Sequence, residues 1–203
     1  MDLAARWPLP GSERLRDALI AAYAEPHRRY HDQRHLQEVL DHVDELVADS
    51  GLGADVVLAV RLAAWFHDAV YDGEPGAEDR SAVWAEDSLG SLGLDPGVTG
   101  EVARLVRLTA THAPAPDDHA GGVLCDADLA ILAAAQDRYA EYAADVRQEY
   151  AHIPDPAFAA GRTAILRDLL AHPSLFHTSL AQDRWERTAR ANLSAEILAL
   201  GRA

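Results

Sequence analysis

From Val56 to Phe66 the chain is almost continuously apolar. Val56, Val57, Leu58, Val60, Leu62, Ala63, Ala64, Trp65 and Phe66 leave no polar stripe, and Arg61 is the only charge inside the run. A helix apolar on all sides is buried on most of them. This one is expected to run from about Ala54 to Asp68, and it stops abruptly on His67-Asp68. An ionised carboxylate taken out of water costs several kcal/mol unless something pairs with it. The simplest partner for His67 and Asp68 at the end of such a helix is a divalent metal ion.

Elsewhere the apolar positions recur with helical spacing, and no alternating run marks a strand. Ser12 caps a predicted first helix that reaches about Ala24. The stretch from Tyr30 to about Ala48 reads as a second helix, on which His31 and His35, four apart, share a face. After the loop Asp72–Gly76 come helices over Glu78–Leu89 and from Asp95-Pro96 to about Thr111. Ala113 to Gly122, with its prolines and glycines, reads as a loop, and Leu124–Leu129 leads into a short helix ending near Ala134. Three further helices are expected: Gln136–Ala151, Asp155 to about His172, and Ala181–Leu200. The prediction is an all-α, single compact helical domain over 1–203. Its metal core spans about 30–135, and helices of about 136–200 pack on it.

Composition agrees: alanine and leucine dominate and β-branched residues are sparse. The net charge of −15 disfavours long nucleic acid, whose phosphates such a surface repels. A small anion held by a metal and a few arginines remains compatible. One cysteine, Cys125, allows no intrachain disulfide, and there is no signal-peptide pattern or bilayer-length apolar run. The expectation is a cytoplasmic protein without membrane contact.

Imidazole and carboxylate are ligands for Mn, Fe, Co, Ni, Zn or Mg. Four segments supply them: His31/His35, His67-Asp68, His112 and Asp126/Asp128. Their order resembles the HD superfamily of metal-dependent phosphohydrolases. YHDQRHLQEV is similar to the tyrosine-histidine opening of helical cyclic-nucleotide phosphodiesterases. LAAWFHD resembles their apolar helix ending in His-Asp, and CDADLAIL their later Ala-Asp-Leu segment. The overall likeness, over roughly residues 6–200, is to a bacterial branch of predicted HD phosphohydrolases. That branch shares FHDAVYD, DADLAIL, an Arg-x-Glu-Tyr segment and a final AR-x-NL helix. Asp32 stands where it usually has Asn, and Ala77-Glu78-Asp79 where it has Asn-Glu.

The resemblance implies that His35, His67, Asp68 and Asp128 hold a primary metal and that His31 is the general acid, one helical turn from His35. Asp68 would also bridge to a second ion, so it counts with His31 among the catalytic residues. Asp126 is the rival for the last ligand position, and otherwise a helix cap. Asp72, Glu78, Thr109 and His112 are candidates for a second site. Arg147 and Arg162, with Arg190, are candidates for neutralising phosphate, because the guanidinium fork matches its oxygens. The implied activity is hydrolysis of a small phosphorylated substrate, a phosphoester or nucleotide, using one or two divalent ions. An HD-type di-iron oxygenase and a non-catalytic metal-binding module are the alternatives. No counterpart of the phosphodiesterase glutamine can be placed, so a cyclic nucleotide is unsupported.

Overall fold

A computed structural model describes residues 2–202. Among them there are nine α-helices, two short 3-10 turns and no strand. The helices are α1 (Glu13–Ala22), α2 (Gln33–Ser50), α3 (Ala54–Phe66), α4 (Ala77–Ser91) and α5 (Pro96–Leu108). They continue with α6 (His119–Leu129), α7 (Gln136–Glu149), α8 (Asp155–Ala171) and α9 (Ser179–Leu200). The all-helical expectation therefore holds. No helix among the described residues is long and apolar enough to cross a membrane.

The apolar run forms the axis of the fold. From Ala59 to Phe66 every residue of α3 except Arg61 is buried. The helix packs against α2, α4, α5 and α6. Arg61 escapes by reaching Asp44 of α2, at 2.9 Å. Helix α2 contributes Leu36, Val39, Leu40, Val43 and Leu46, the spacing of one helical face turned to a core. Trp65 is enclosed completely and meets Trp7 edge-to-face at 5.1 Å.

The C-terminal helices are tied to this core by polar contacts. Arg138 of α7 makes a two-pronged ion pair with Glu38 of α2, at 2.7 and 2.9 Å. Asn192 of α9 donates to the carbonyls of Leu132 and Ala134, both at 2.9 Å, satisfying the turn that follows α6. Helix α8 buries only Leu166 and rests on α9.

Two boundaries differ from expectation, each for a local reason. Helix α2 starts at Gln33, not near Tyr30, because the Asp32 carboxylate accepts from the amides of Arg34 and His35 and caps the helix there. His31 thus lies outside the helix, and His31 and His35 do not share a helical face. The stretch read as a loop through Gly122 is helical from His119, with both glycines inside α6. A Cβ on Gly121 would sit 2.3 Å from Asp118 Oδ2 and 2.6 Å from Leu108 Cδ2. Glycine is there so that α6 can approach the end of α5, and packing outweighs its poor helix propensity.

Because α3 is the axis, truncating its centre is expected to be severe. Leu62→Ala should destabilise the chain by about 3 kcal/mol in urea unfolding. A loss below about 1 kcal/mol would mean that the packing around α3 is not as described.

Candidate metal centre

Helix α3 delivers His67 as the residue capping its C-terminal end. A hydrogen bond of 2.9 Å joins His67 Nδ1 to the carbonyl of Ala64. A carbonyl only accepts, so Nδ1 carries the proton and Nε2 of the neutral ring is left as a lone pair. Across from it, α2 supplies His35, whose Nε2 lies 3.1 Å from His67 Nε2. Asp68 Oδ2 is 3.4 Å from His35 Nε2 and 3.2 Å from His67 Nε2. Asp128 Oδ1, from α6, is 3.2 and 3.6 Å from the same two nitrogens. Four electron-rich atoms thus converge from three helices and the turn after α3. His35, His67 and Asp128 form a cluster whose ligand atoms all lie within 4.8 Å of one another.

The donor set fits a divalent ion. Neighbouring ligands held about 2.1 Å from a common ion stand about 3.0–3.4 Å apart, close to the separations here. Without a cation or an added proton, lone pairs would face lone pairs. The titration behaviour expresses the same demand. Burial opposes charge on His35 and His67, yet the carboxylates beside them push both imidazoles above their usual range. Burial likewise opposes ionisation of Asp68 and Asp128, yet the histidines hold both carboxyls well below the usual carboxylate range.

Asp126 does not compete for this position. Residues two apart on a helix point about 200° apart, so Asp126 faces away from Asp128. Its carboxylate accepts from the amides of His177 and Thr178 and from the Thr178 hydroxyl, at 2.7–2.8 Å. Since Thr178 caps α9, Asp126 anchors the last helix to the core. It lies inside α6, not at the head of a following helix.

Asp128 is shared. While Oδ1 faces His35 and His67, Oδ2 accepts from His112 Nε2 at 2.8 Å. His112 adopts a left-handed backbone, with φ of 49°, as the chain leaves α5. This conformation costs a non-glycine residue about 1 kcal/mol, and it is held here where the imidazole reaches a candidate ligand. Asp128 thus turns one oxygen to each of two histidine groups. Asp72, Glu78 and Thr109 line the same cleft of about 770 Å³, together with His31, Asp68, His112 and Asp128. Asp72 is paired with Arg80 at the rim, and the Thr109 hydroxyl is spent on the carbonyl of Val106.

His31 reaches the cleft by another route than a shared helical turn. Its Nδ1 lies 2.7 Å from Glu149 Oε2, and its ring stacks on Tyr71 with centroids 4.2 Å apart. Glu149 Oε1 accepts from the amides of Arg29, Tyr30 and His31, and Oε2 from the Tyr71 hydroxyl. Arg28, its side chain fully buried, donates to the carbonyls of His31, Asp68 and Ala69. It therefore fixes the His31 segment to the metal-ligand segment. Sequence reasoning missed both residues. Glu149 lies in the Arg-x-Glu-Tyr segment, the one signal that marks it; Arg28 carries no sequence signal.

The arginines are engaged elsewhere. Arg147 pairs with Asp155 and donates to the carbonyls of Tyr150 and Ile153, closing the turn between α7 and α8. It does not line the cleft. Arg162 pairs with Glu196 at 2.8 Å and donates to the Tyr142 hydroxyl. Arg190 pairs with Glu186 and holds carbonyls at the end of α8. No arginine lines the metal cleft.

Comparisons with known protein families, with curated proteins and with solved structures find no match.

Two outcomes follow from this geometry. Asp126→Ala should lose about 2–4 kcal/mol of stability, because it strands buried donors, while still binding Mn2+. Loss of Mn2+ binding by a folded variant, measured by calorimetry, would return Asp126 to the ligand set. For Glu149, burial opposes ionisation, but His31 and the backbone amides bring its pKa down to about 2. A carboxyl lowered on folding adds stability above its unfolded value near 4.5 and loses it as the pH falls toward 2. Glu149→Gln should therefore be less stable than the parent by roughly 2–3 kcal/mol at pH 7. Urea titrations should find that gap shrinking between pH 5 and 2; a gap constant over that interval contradicts the assignment.

Proposed function

We propose that the protein is a metal-dependent phosphohydrolase acting on a small phosphoester. The observation that carries this reading is a proton-donor dyad beside a metal-ligand cluster in one cleft. His31, with Nδ1 on Glu149 Oε2 at 2.7 Å, shares the cleft with Asp68 and Asp128. A purely structural metal site has no use for such a dyad. The resemblance to HD phosphohydrolases supports the same reading.

The chain's own groups divide the work. His35, His67, Asp68 and Asp128 would hold the primary divalent ion. When bound, such an ion supplies Lewis acidity that activates water and polarises a phosphoryl group. Glu149 takes the Nδ1 proton of His31 as a hydrogen bond, which leaves Nε2 to hold a proton for the departing alkoxide. Arg28 keeps the His31 and Asp68 backbones at a constant separation. Asp128, with one oxygen toward His35 and the other toward His112, would with His112 and Glu78, which line the same cleft, be the residues to hold a second ion. A pair of irons held there would make the di-iron oxygenase the alternative. The same reading places the enzyme in the cytoplasm, in keeping with its single, buried cysteine.

The test begins with metal analysis of natively purified protein. A phosphatase and nucleotidase panel with Mn, Co, Ni and Mg follows. His67→Ala should lose metal and hydrolysis together. His31→Ala should keep its metal while kcat falls by about 10²–10⁴. Full turnover by His67→Ala with metal loss verified would overturn the proposal. An iron pair with oxygen consumption would replace it by the oxygenase. Bound metal with no ester turned over, and no effect of His31→Ala, would leave a binding module.

A further inference from the structure

Beside the metal cleft lies a second cavity of about 360 Å³, formed between α7 and α8. The two share His31 and Tyr150. Its walls are Val146, Ile153, Phe158 and Ile165, with Tyr150 at the entrance from the cleft. Ile165 is 57% exposed and Tyr150 44%, so the cavity opens to solvent along these two side chains. At the base, Arg162 is already matched: Glu196 pairs with it, both side chains are only about a tenth exposed, and Tyr142 accepts a further hydrogen bond. Glu196 also accepts from the Tyr139 hydroxyl. The base of the cavity is thus a satisfied network without spare charge.

The cleft itself sets the complementary restriction. Asp68, Asp72, Glu74, Glu78, Asp128 and Glu149 line it, and no arginine does; the chain contains no lysine. Negative charge on a ligand is therefore tolerated only where a metal offsets it. The cleft therefore disfavours further negative charge on the substrate beyond the phosphoryl group. His31 borders both spaces, so an alcohol that leaves with its proton departs toward the second cavity.

We propose that this cavity receives the leaving group and that the substrate is a phosphoester of an uncharged, apolar alcohol, about the size of an arylalkyl group. The inference rests on the phosphohydrolase reading and adds the substrate's chemical class. Continuity with the metal cleft through His31 and Tyr150 is what assigns the cavity to the same ligand. A neutral, largely apolar lining selects for burial of hydrocarbon over further hydrogen bonding.

The experiment compares 3-phenylpropyl phosphate with n-propyl phosphate in the Mn2+-loaded protein. The two alcohols leave with similar intrinsic ease, so the ratio of kcat/KM reports the cavity. We expect the phenylpropyl ester to be favoured by about thirtyfold or more. The preference should collapse toward unity in Ile165→Asp and persist in Leu198→Asp, an exposed residue on α9 away from the cavity. Free 3-phenylpropan-1-ol should give saturation-transfer NMR signals with the parent protein and not with Ile165→Asp. Equal efficiency on the two esters, or a preference that survives Ile165→Asp, overturns the assignment. If neither ester is hydrolysed while another ester of the phosphatase and nucleotidase panel is, the substrate assignment alone is overturned; if nothing in the panel is hydrolysed, the phosphohydrolase reading fails, and the alcohol decides separately: binding lost in Ile165→Asp supports an apolar-ligand site, and no binding overturns it. Chromatographic size is read in parallel. A parent dimer that Ile165→Asp dissociates gives the groove to a second copy of the chain and overturns the proposal.

Discussion

Two neutral imidazoles and two carboxylates turned toward one point repel one another unless a cation or a bound proton lies among them. His35, His67, Asp68 and Asp128 are held in that arrangement by packing that would persist without their charges. His67 ends a helix whose preceding residues are nearly all enclosed. His35 sits in the first turn of a helix that lays its apolar face against α3. Asp128 rides on a helix brought close by a glycine. The scaffold therefore bears the cost of the arrangement, and a cation is what would relieve it. The directions in which the four groups titrate express this same tension.

Around that centre, second partners decide what each ligand presents. The Ala64 carbonyl fixes the proton on His67 Nδ1, and the Tyr23 hydroxyl accepts from the Asp68 amide. Glu149 performs the corresponding service for His31, gathering three consecutive amides and one imidazole on a single carboxylate. Arg28, fully enclosed, spans the two segments through their carbonyls. Arg28 and Glu149 are the polar groups through which the loop before α2 is registered against the metal-ligand turn. A loop held this way positions an imidazole as firmly as a helix would.

The carboxylate-rich cleft and the neutral cavity beside it share one electrostatic logic. No arginine lines the cleft, so under the proposed function a metal would be the group in it that offsets a phosphate's charge. On the proposed reading, recognition beyond the phosphoryl group would fall to apolar burial. This differs from the phosphate-binding role considered for Arg147 and Arg162. Both are spent on the architecture of α7, α8 and α9, where they satisfy carboxylates and carbonyls that would otherwise be left without partners.

Periodicity and local chemistry by themselves determined the all-helical fold and the burial of α3, while the grouping of His35, His67, Asp68 and Asp128 was what the family resemblance implied. A helix apolar on all sides has nowhere to go but inside, and a His-Asp pair at its end carries its own need for a partner. What they left undecided was settled by contacts distant in the chain. Asp126 and Asp128 are chemically identical and two residues apart; only the approach of α9 on one side and α2 with α3 on the other separates an anchor from a candidate ligand. His31 was placed on a helix because its spacing from His35 allowed it. The Asp32 cap removed it from the helix, and Glu149, more than a hundred residues away, put it back beside the site. Gly121 and Gly122 read as loop because propensity is local, while the close approach that makes glycine useful inside α6 exists only once α5 and α9 are in place.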